Sequence, residues 1–169
     1  MIEISRSSAD RTALYGRLVG LIMRWQDATQ AFDAAVGERL ELSRAEQHCL
    51  SFLHDSPRAA GEIAAEIGLT PAAVTSLVDR LVARGLLLRR RSETDRRQVL
   101  VEMTDAARKA TQRYYGPIAK EGRAALDRFS TAELATVVKF MEASLDLQLR
   151  HTERIRRDKS RGAARPGDG

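Results

Sequence analysis

The segment 59–85, AAGEIAAEIGLTPAAVTSLVDRLVARG, constrains the fold more than any other stretch of the chain. Ile63, Ala64 and Ile67 recur at helical spacing and predict a short helix. Gly68 supplies the left-handed residue that closes such a helix. Thr70 can cap the next helix, and Pro71 fits its first position, where no amide donor is missed. That second helix buries Val74, Leu77, Val78, Leu81 and Val82 on one face and stops at Gly85. Two short helices joined by a tight, glycine-containing turn form a helix-turn-helix.

After Gly85 the hydrophobic period changes. LLLRRR (86–91) and QVLVEM (98–103) are strand-like runs around a polar segment, so they read as a hairpin with residues 91–97 at its tip. A basic hairpin directly after a helix-turn-helix makes a winged helix. Residues 80–97 hold seven arginines against two acids, while the net charge of the whole chain is only +5. A basic island on an otherwise balanced domain is the electrostatic footprint of a polyanion partner. A second island lies at residues 150–169, where a solvated surface run is the favoured reading.

The flanks read as helices. Leu14, Leu18, Leu21/Ile22, Trp25, Phe32, Val36 and Leu40 mark one stripe of a long helix over residues 10–40. Ser43 and Glu46 form a capping box at the start of the next helix, whose buried face is Ala45, Cys49, Phe52 and Leu53, and Pro57 ends it. Thr104 and Asp105 open a helix to about Phe129, in which Gly116-Pro117 predicts a bend or break. Ser130 and Glu133 cap a last helix carrying Leu134, Val137/Val138, Met141, Leu145 and Leu149. From Lys159 on the chain is small, charged and Gly/Pro-containing, so disorder is expected over residues 158–169. The fold class is therefore mainly α with a small β-hairpin wing: a winged helix-turn-helix domain (42–103) plus a helical dimerisation region from both termini (10–40 and 104–157). The flanking stripes are too apolar for so small a domain to cover, which predicts a homodimer.

Composition excludes several classes. A single cysteine rules out an internal disulfide framework and a cysteine-rich zinc site. No apolar run reaches the ~18 residues of a membrane span, and the first residues lack a secretory h-region, so no membrane partner and a cytoplasmic location are expected. His48 and His54 are six residues apart and should not share a helix face, and the chain's other histidine, His151, is remote in sequence. No metal site, cofactor or catalytic residue is expected, since no nucleophile elbow, P-loop or dinucleotide fingerprint occurs.

With the apolar residues of the second helix facing inward, Thr70, Pro71, Ala72, Ala73, Thr75, Ser76, Asp79 and Arg80 are left for the outer face. Small and hydroxyl side chains near a helix N-terminus allow close approach to a major groove, hydroxyls can bond bases or phosphates, and alanine can touch a thymine methyl. Arg89, Arg90, Arg91 and Arg96 can meet phosphates, which gives affinity without sequence information.

These pieces together resemble the MarR family of bacterial transcriptional regulators, over roughly residues 12 to 150. The residues that carry the resemblance are Leu42-Ser43-x-x-Glu46, the turn Glu62-Ile63-Ala64-x-x-Ile67-Gly68-Leu69-Thr70, Val74-Thr75-x-Leu77-Val78-Asp79-Arg80-Leu81, and Gly85-Leu86-Leu87. Most specific is Asp95-Arg96-Arg97-x-Val99-x-Val101-x-Met103-Thr104, which is similar to the family's Asp-x-Arg wing signature; Met103 stands where Leu is usual, and Ala106 or Ala107 where Gly is frequent. The resemblance implies that Asp95 orients Arg97 for a minor groove, where guanidinium groups are attracted. It implies a homodimer on double-stranded DNA at an inverted repeat, with repression the favoured sign. It also implies release by a small aromatic, phenolic or antibiotic-like effector between the dimerisation helices and the winged helix, with Trp25, His48, Tyr114 and Tyr115 as candidate walls. Some relatives sense oxidants through a cysteine on the first helix; Cys49 is not there, and its apolar neighbours make it a core residue. The alternative is a winged helix that organises DNA or contacts proteins without an effector.

Overall fold

A computed structural model describes residues 2–93, 95 and 97–163, with side chains described over residues 10–157 apart from 94 and 96. Among the described residues, six helices and three strands follow in the order α1 (Ile2–Leu40), α2 (Arg44–Phe52), β1 (Arg58–Ala59), α3 (Ala60–Ile67), α4 (Pro71–Ala83), β2 (Leu87–Arg91), β3 (Val99–Met103), α5 (Asp105–Leu126) and α6 (Thr131–Ala163). The chain divides into two units, Met1–Gly116 and Pro117–Gly169.

The first unit contains the winged helix. Its core is Cys49, Leu50, Leu53, Ile63, Val74, Leu77, Val78, Leu81, Leu87, Val101, Met103 and Ala107, all buried. These residues come from α2, α3, α4, the β2–β3 hairpin and the first turn of α5, so one core welds the helix-turn-helix to its wing. Burying a side chain such as Leu77 is worth roughly 1.5–3 kcal/mol relative to exposure. Caps set the helix ends. Ser43 accepts from Glu46 N, and Glu46 Oε2 accepts from Ser43 N at 2.9 Å. Thr70 Oγ1 accepts from Ala73 N, and Pro71 opens α4. Gly68 (φ 71) and Gly85 (φ 69) take the left-handed conformation that ends α3 and α4, where any Cβ would be strained. Thr104 caps α5 and also donates its hydroxyl to the Gly85 carbonyl at 2.8 Å, tying the end of the wing to the end of α4.

The sheet has the order β1-β3-β2, antiparallel throughout. The hairpin register pairs Leu87 with Met103 and Arg91 with Val99. β1 was not expected: Arg58 and Ala59 pair with Val101 and Leu100. A strand of two residues has no period to betray it, and it covers the free edge of β3.

Four other expectations are corrected. α1 starts at Ile2 rather than near residue 10. α2 ends at Phe52, ahead of Pro57, because Leu53 and His54 turn back onto the carbonyls of Cys49 and Ser51. α5 is one unbroken helix through Pro117; a proline removes a single ladder donor, and the bonds on either side keep the helix continuous. α6 continues to Ala163, past the point where disorder was expected; residues 164–169 of that expected tail lie outside the described residues.

The stripe on α1 splits. Val36 is buried, but Leu14, Leu18, Leu21 and Trp25 are exposed, Trp25 at 59%. In the second unit Val137, Val138, Met141, Leu145 and Leu149 of α6 are likewise exposed.

Candidate nucleic-acid interface

The outward face of α4 is small and polar. Thr70, Pro71, Ala72, Thr75, Ser76, Asp79 and Arg80 are exposed, and Ala73 is half-buried. Thr75 and Ser76 donate to the carbonyls of Pro71 and Ala72 at 3.0 and 3.2 Å, so their lone pairs face outward as acceptors. At the helix N-terminus Pro71 has no N–H, Ala73 donates to Thr70 Oγ1 and Val74 to the Thr70 carbonyl. The Ala72 amide is thus the donor this end can offer to an outside acceptor.

Arg80 is exposed, and its Nε reaches Glu46 Oε1 at 3.4 Å. Burial pushes the Glu46 carboxyl up, but the Ser43 N–H and Oγ–H bonds and Arg80 more than offset it, leaving the group below its ordinary value. Glu46 therefore stays ionised, a fixed anchor for a guanidinium that otherwise lies at the surface.

The wing's arginines fall into different environments. Arg89 Nη2 pairs with Asp79 Oδ1 of α4 at 2.6 Å. Arg90 Nε pairs with Glu102 Oε2 across the hairpin at 2.9 Å, with Glu93 at 3.8 Å. Arg91 and Arg97 are exposed, and among the described residues neither guanidinium meets a carboxylate. Arg96 lies outside the described residues. Asp95 organises the tip differently from the expected side-chain pair: its Oδ1 accepts from the backbone N–H of Arg97 at 2.9 Å, and its carbonyl accepts from Gln98 N at 2.9 Å. Ser92, buried, closes the other side, with N donating to the Gln98 carbonyl and Oγ accepting from Asp95 N. The role of Ser92 was missed; the spacing Ser92-x-x-Asp95 is the signal that could have shown it.

The MarR family's sequence model matches residues 40–98, from the end of α1 to the wing tip. Over 153 residues, 90% of this chain and 96% of the relative, the sequence is 27% identical to the uncharacterized HTH-type transcriptional regulator YcgE of Bacillus subtilis. The chain is thus similar to the MarR family over residues 40–98, its helix-turn-helix and wing. Two solved structures share the fold of this chain. A MarR-like transcriptional regulator from Thermotoga maritima has a TM-score of 0.58 at 19% identity, over 77% of this chain and 95% of that one. A MepR mutant from Staphylococcus aureus has a TM-score of 0.58 at 17% identity, over 78% and 94%. The family's members are transcriptional regulators, not enzymes.

Within the first unit, α1, α2 and α5 border an open cleft of about 1480 Å³. His48 and Tyr115 line it, together with Asp33, Gln47, Leu50 and His54. Trp25 and Tyr114 are not among its walls, and Trp25 lies exposed farther up α1. His54 reaches the same space as His48 because it lies beyond the end of α2, where helical projection no longer applies. Asp33 is a node, its Oδ1 accepting from Tyr115 Oη at 2.9 Å and its carbonyl from Gln47 Nε2 at 2.6 Å. Burial first, and Asp33 second, push the Tyr115 hydroxyl up to about 12, so it remains a neutral donor. Phe32 packs edge-on against the Tyr115 ring, centroids 5.4 Å apart.

Cys49 is wholly buried, and burial with the nearby Glu46 charge pushes its thiol up to about 11. A thiol in that state is a poor nucleophile. Among the described residues no group of three or more His, Cys, Asp and Glu could hold a metal ion, and no helix is long and apolar enough to cross a membrane.

Proposed function

We propose that this chain is a DNA-binding transcriptional regulator that acts as a homodimer on an inverted-repeat operator. The observation that carries the reading is the pairing of surfaces: the small, polar face of α4 stands beside a wing whose Arg91 and Arg97 are exposed and, among the described residues, meet no carboxylate, with Asp79–Arg89 tying the two together. In this reading Thr70, Pro71, Ala72, Ala73, Thr75, Ser76 and Arg80 meet the major groove. Arg97 enters the minor groove from a tip shaped by Asp95, and Arg89, Arg90, Arg91 and Arg96 contact phosphates.

Exposed apolar side chains support the dimer. Leu14, Leu18, Leu21 and Trp25 on α1, and Val137, Met141, Leu145 and Leu149 on α6, are more apolar surface than a monomer leaves in water. Two winged helices on successive major grooves need half-sites about 34 Å apart. A small-molecule effector seated in the cleft bordered by His48 and Tyr115 shifts the spacing of the recognition helices; a coupling of ~1–3 kcal/mol weakens DNA binding about 5–150-fold. Repression is the favoured sign.

The test is a titration of the purified protein on DNA from upstream of its own and neighbouring genes, at several salt concentrations. Preference for an inverted repeat over random DNA, with affinity falling as salt rises, is expected. Salt-sensitive binding without sequence preference would instead identify a DNA-organising protein, and no binding at all would favour a protein-contact module.

A further inference from the structure

One side chain that the DNA-binding reading does not use links α4 directly to the end of α1. Arg84, the C-cap of α4, reaches back to the end of α1: Nη1 donates to the Glu41 carbonyl and Nη2 to the Leu40 carbonyl, each at 2.8 Å. The partners are 43 and 44 residues away in sequence. The last carbonyls of a helix have no partner within it and carry the negative end of its dipole, so a planar cationic fork is well suited to them.

Three features place this fork at a hinge-like point. Glu41 holds a left-handed conformation (φ 52), which turns its carbonyl out of the α1 ladder. Beside Arg84 lies a small, partly open cleft of about 80 Å³, lined among others by Leu40, Leu42, Leu50, Leu86 and Thr111, so the packing there leaves a gap. The residues after Arg84 are rigid by contrast: Leu86 N bonds to the Leu81 carbonyl, and Thr104 fastens both Gly85 and Leu86. The fork therefore connects a firm point, the turn from α4 into the wing, to the last turn of α1. Leu40 and Glu41 also border the larger cleft that holds Asp33 and Tyr115.

We propose that Arg84 is a positioning residue, which sets the angle of the recognition helix relative to α1 and carries movement of α1 to the DNA-facing surface. The link to DNA rests on the function proposed above; the angle within one chain does not.

The closing experiment keeps the two apart. Spin labels at Ala28→Cys on α1 and Ala72→Cys on α4, both exposed positions, report the α1–α4 distance by pulsed dipolar spectroscopy. The labelled protein is refolded with excess unlabelled chain, so that intramolecular pairs dominate. The full chain is expected to give one narrow distribution. Arg84→Gln broadens it about twofold or more, as for a released hinge, and Arg84→Lys, which keeps the charge but loses the fork, falls between. An Arg84→Gln protein that melts cooperatively and keeps the original width overturns the proposal. Where Arg84→Gln does not melt cooperatively, the Arg84→Lys width decides in the same way.

In parallel, unlabelled proteins select binding sites from a random DNA pool. The unsubstituted chain is expected to recover one half-site spacing and Arg84→Gln several; a single unchanged spacing counts against Arg84. If the unsubstituted chain recovers no inverted repeat, the dimer reading fails, and the distance measurement alone decides the role of Arg84.

Discussion

Asp95 gives the sharpest test of how the wing works. Two accounts differ by one substitution. If the carboxylate acts as a charge partner for the Arg97 guanidinium, removing its charge is as harmful as removing the side chain. The structure instead uses Asp95 Oδ1 as an acceptor for the Arg97 backbone N–H at 2.9 Å. Asn carries the same acceptor, whereas Ala carries none. Asp95→Ala therefore loses one hydrogen bond at a solvated tip, a net ~1 kcal/mol, which is about fivefold in DNA affinity if the ordered tip is what binds. Asp95→Asn keeps the bond and deletes a negative charge next to a polyanion, so it should bind as tightly as the unsubstituted chain or more tightly. Fluorescence anisotropy on one recovered operator at fixed salt measures both, with thermal melts confirming an intact core. An Asp95→Asn variant weakened as much as Asp95→Ala would refute the backbone account and restore the charge-pair one.

Other consequences follow from single sites. Glu41→Gly should raise stability by roughly 0.5–1 kcal/mol in urea unfolding, because glycine takes the left-handed conformation without the Cβ penalty; no gain would mean that φ 52 carries little strain. Cys49 should resist thiol reagents at pH 8 until the protein is unfolded, since its thiol is buried and raised to about 11; fast stoichiometric labelling of the native protein would contradict that. Glu46 has its carboxyl held below the usual value in the folded state, so its contribution is present above pH ~4.5 and is lost as pH falls through the lowered value. The stability gap between the unsubstituted chain and Glu46→Gln should accordingly shrink between pH 7 and pH 3, and a constant gap would contradict the assignment.

Much of the fold was legible because local chemistry fixed it. The capping pairs Ser43/Glu46 and Ser130/Glu133, the sequence Gly68-Leu69-Thr70-Pro71 and Gly85 each determine a helix end within a few residues, whatever the rest of the chain does. The apolar period then decides which face is buried. What escaped was whatever depends on residues far apart in sequence. β1 is two residues long and exists only through β3. The partners of Arg84, Arg89 and Tyr115 lie 43, 10 and 82 residues away, so no spacing rule identifies them. The exposed Trp25 illustrates a different gap: its helical stripe was visible, but a stripe says only that a side chain wants cover and not that its own chain supplies it.

The arginines of the wing show how a folded hairpin tolerates so much like charge. Asp79 and Glu102 take up Arg89 and Arg90, while Arg84 spends its charge on helix carbonyls. This leaves Arg91 and Arg97 as the uncompensated cations among the described residues of the hairpin. The Arg89–Asp79 pair is substantially solvated on both sides, and pairs of that kind contribute at most about 1 kcal/mol. Such a bond adds little to the shared core that holds the wing against α4, and is weak enough to be exchanged for a phosphate oxygen at little cost. On the proposed DNA-binding reading, Arg89 and Arg90 would then act as reserve cations, paired within the chain until a polyanion competes for them. The wing is thus kept from repelling itself before binding without giving up charge that binding can use. The tip's own shape is set separately, by the uncharged bonds of Ser92 and the Asp95 carbonyl together with the Asp95 carboxylate on the Arg97 N–H, so a change of partner by the arginines leaves the loop that presents Arg97 in place.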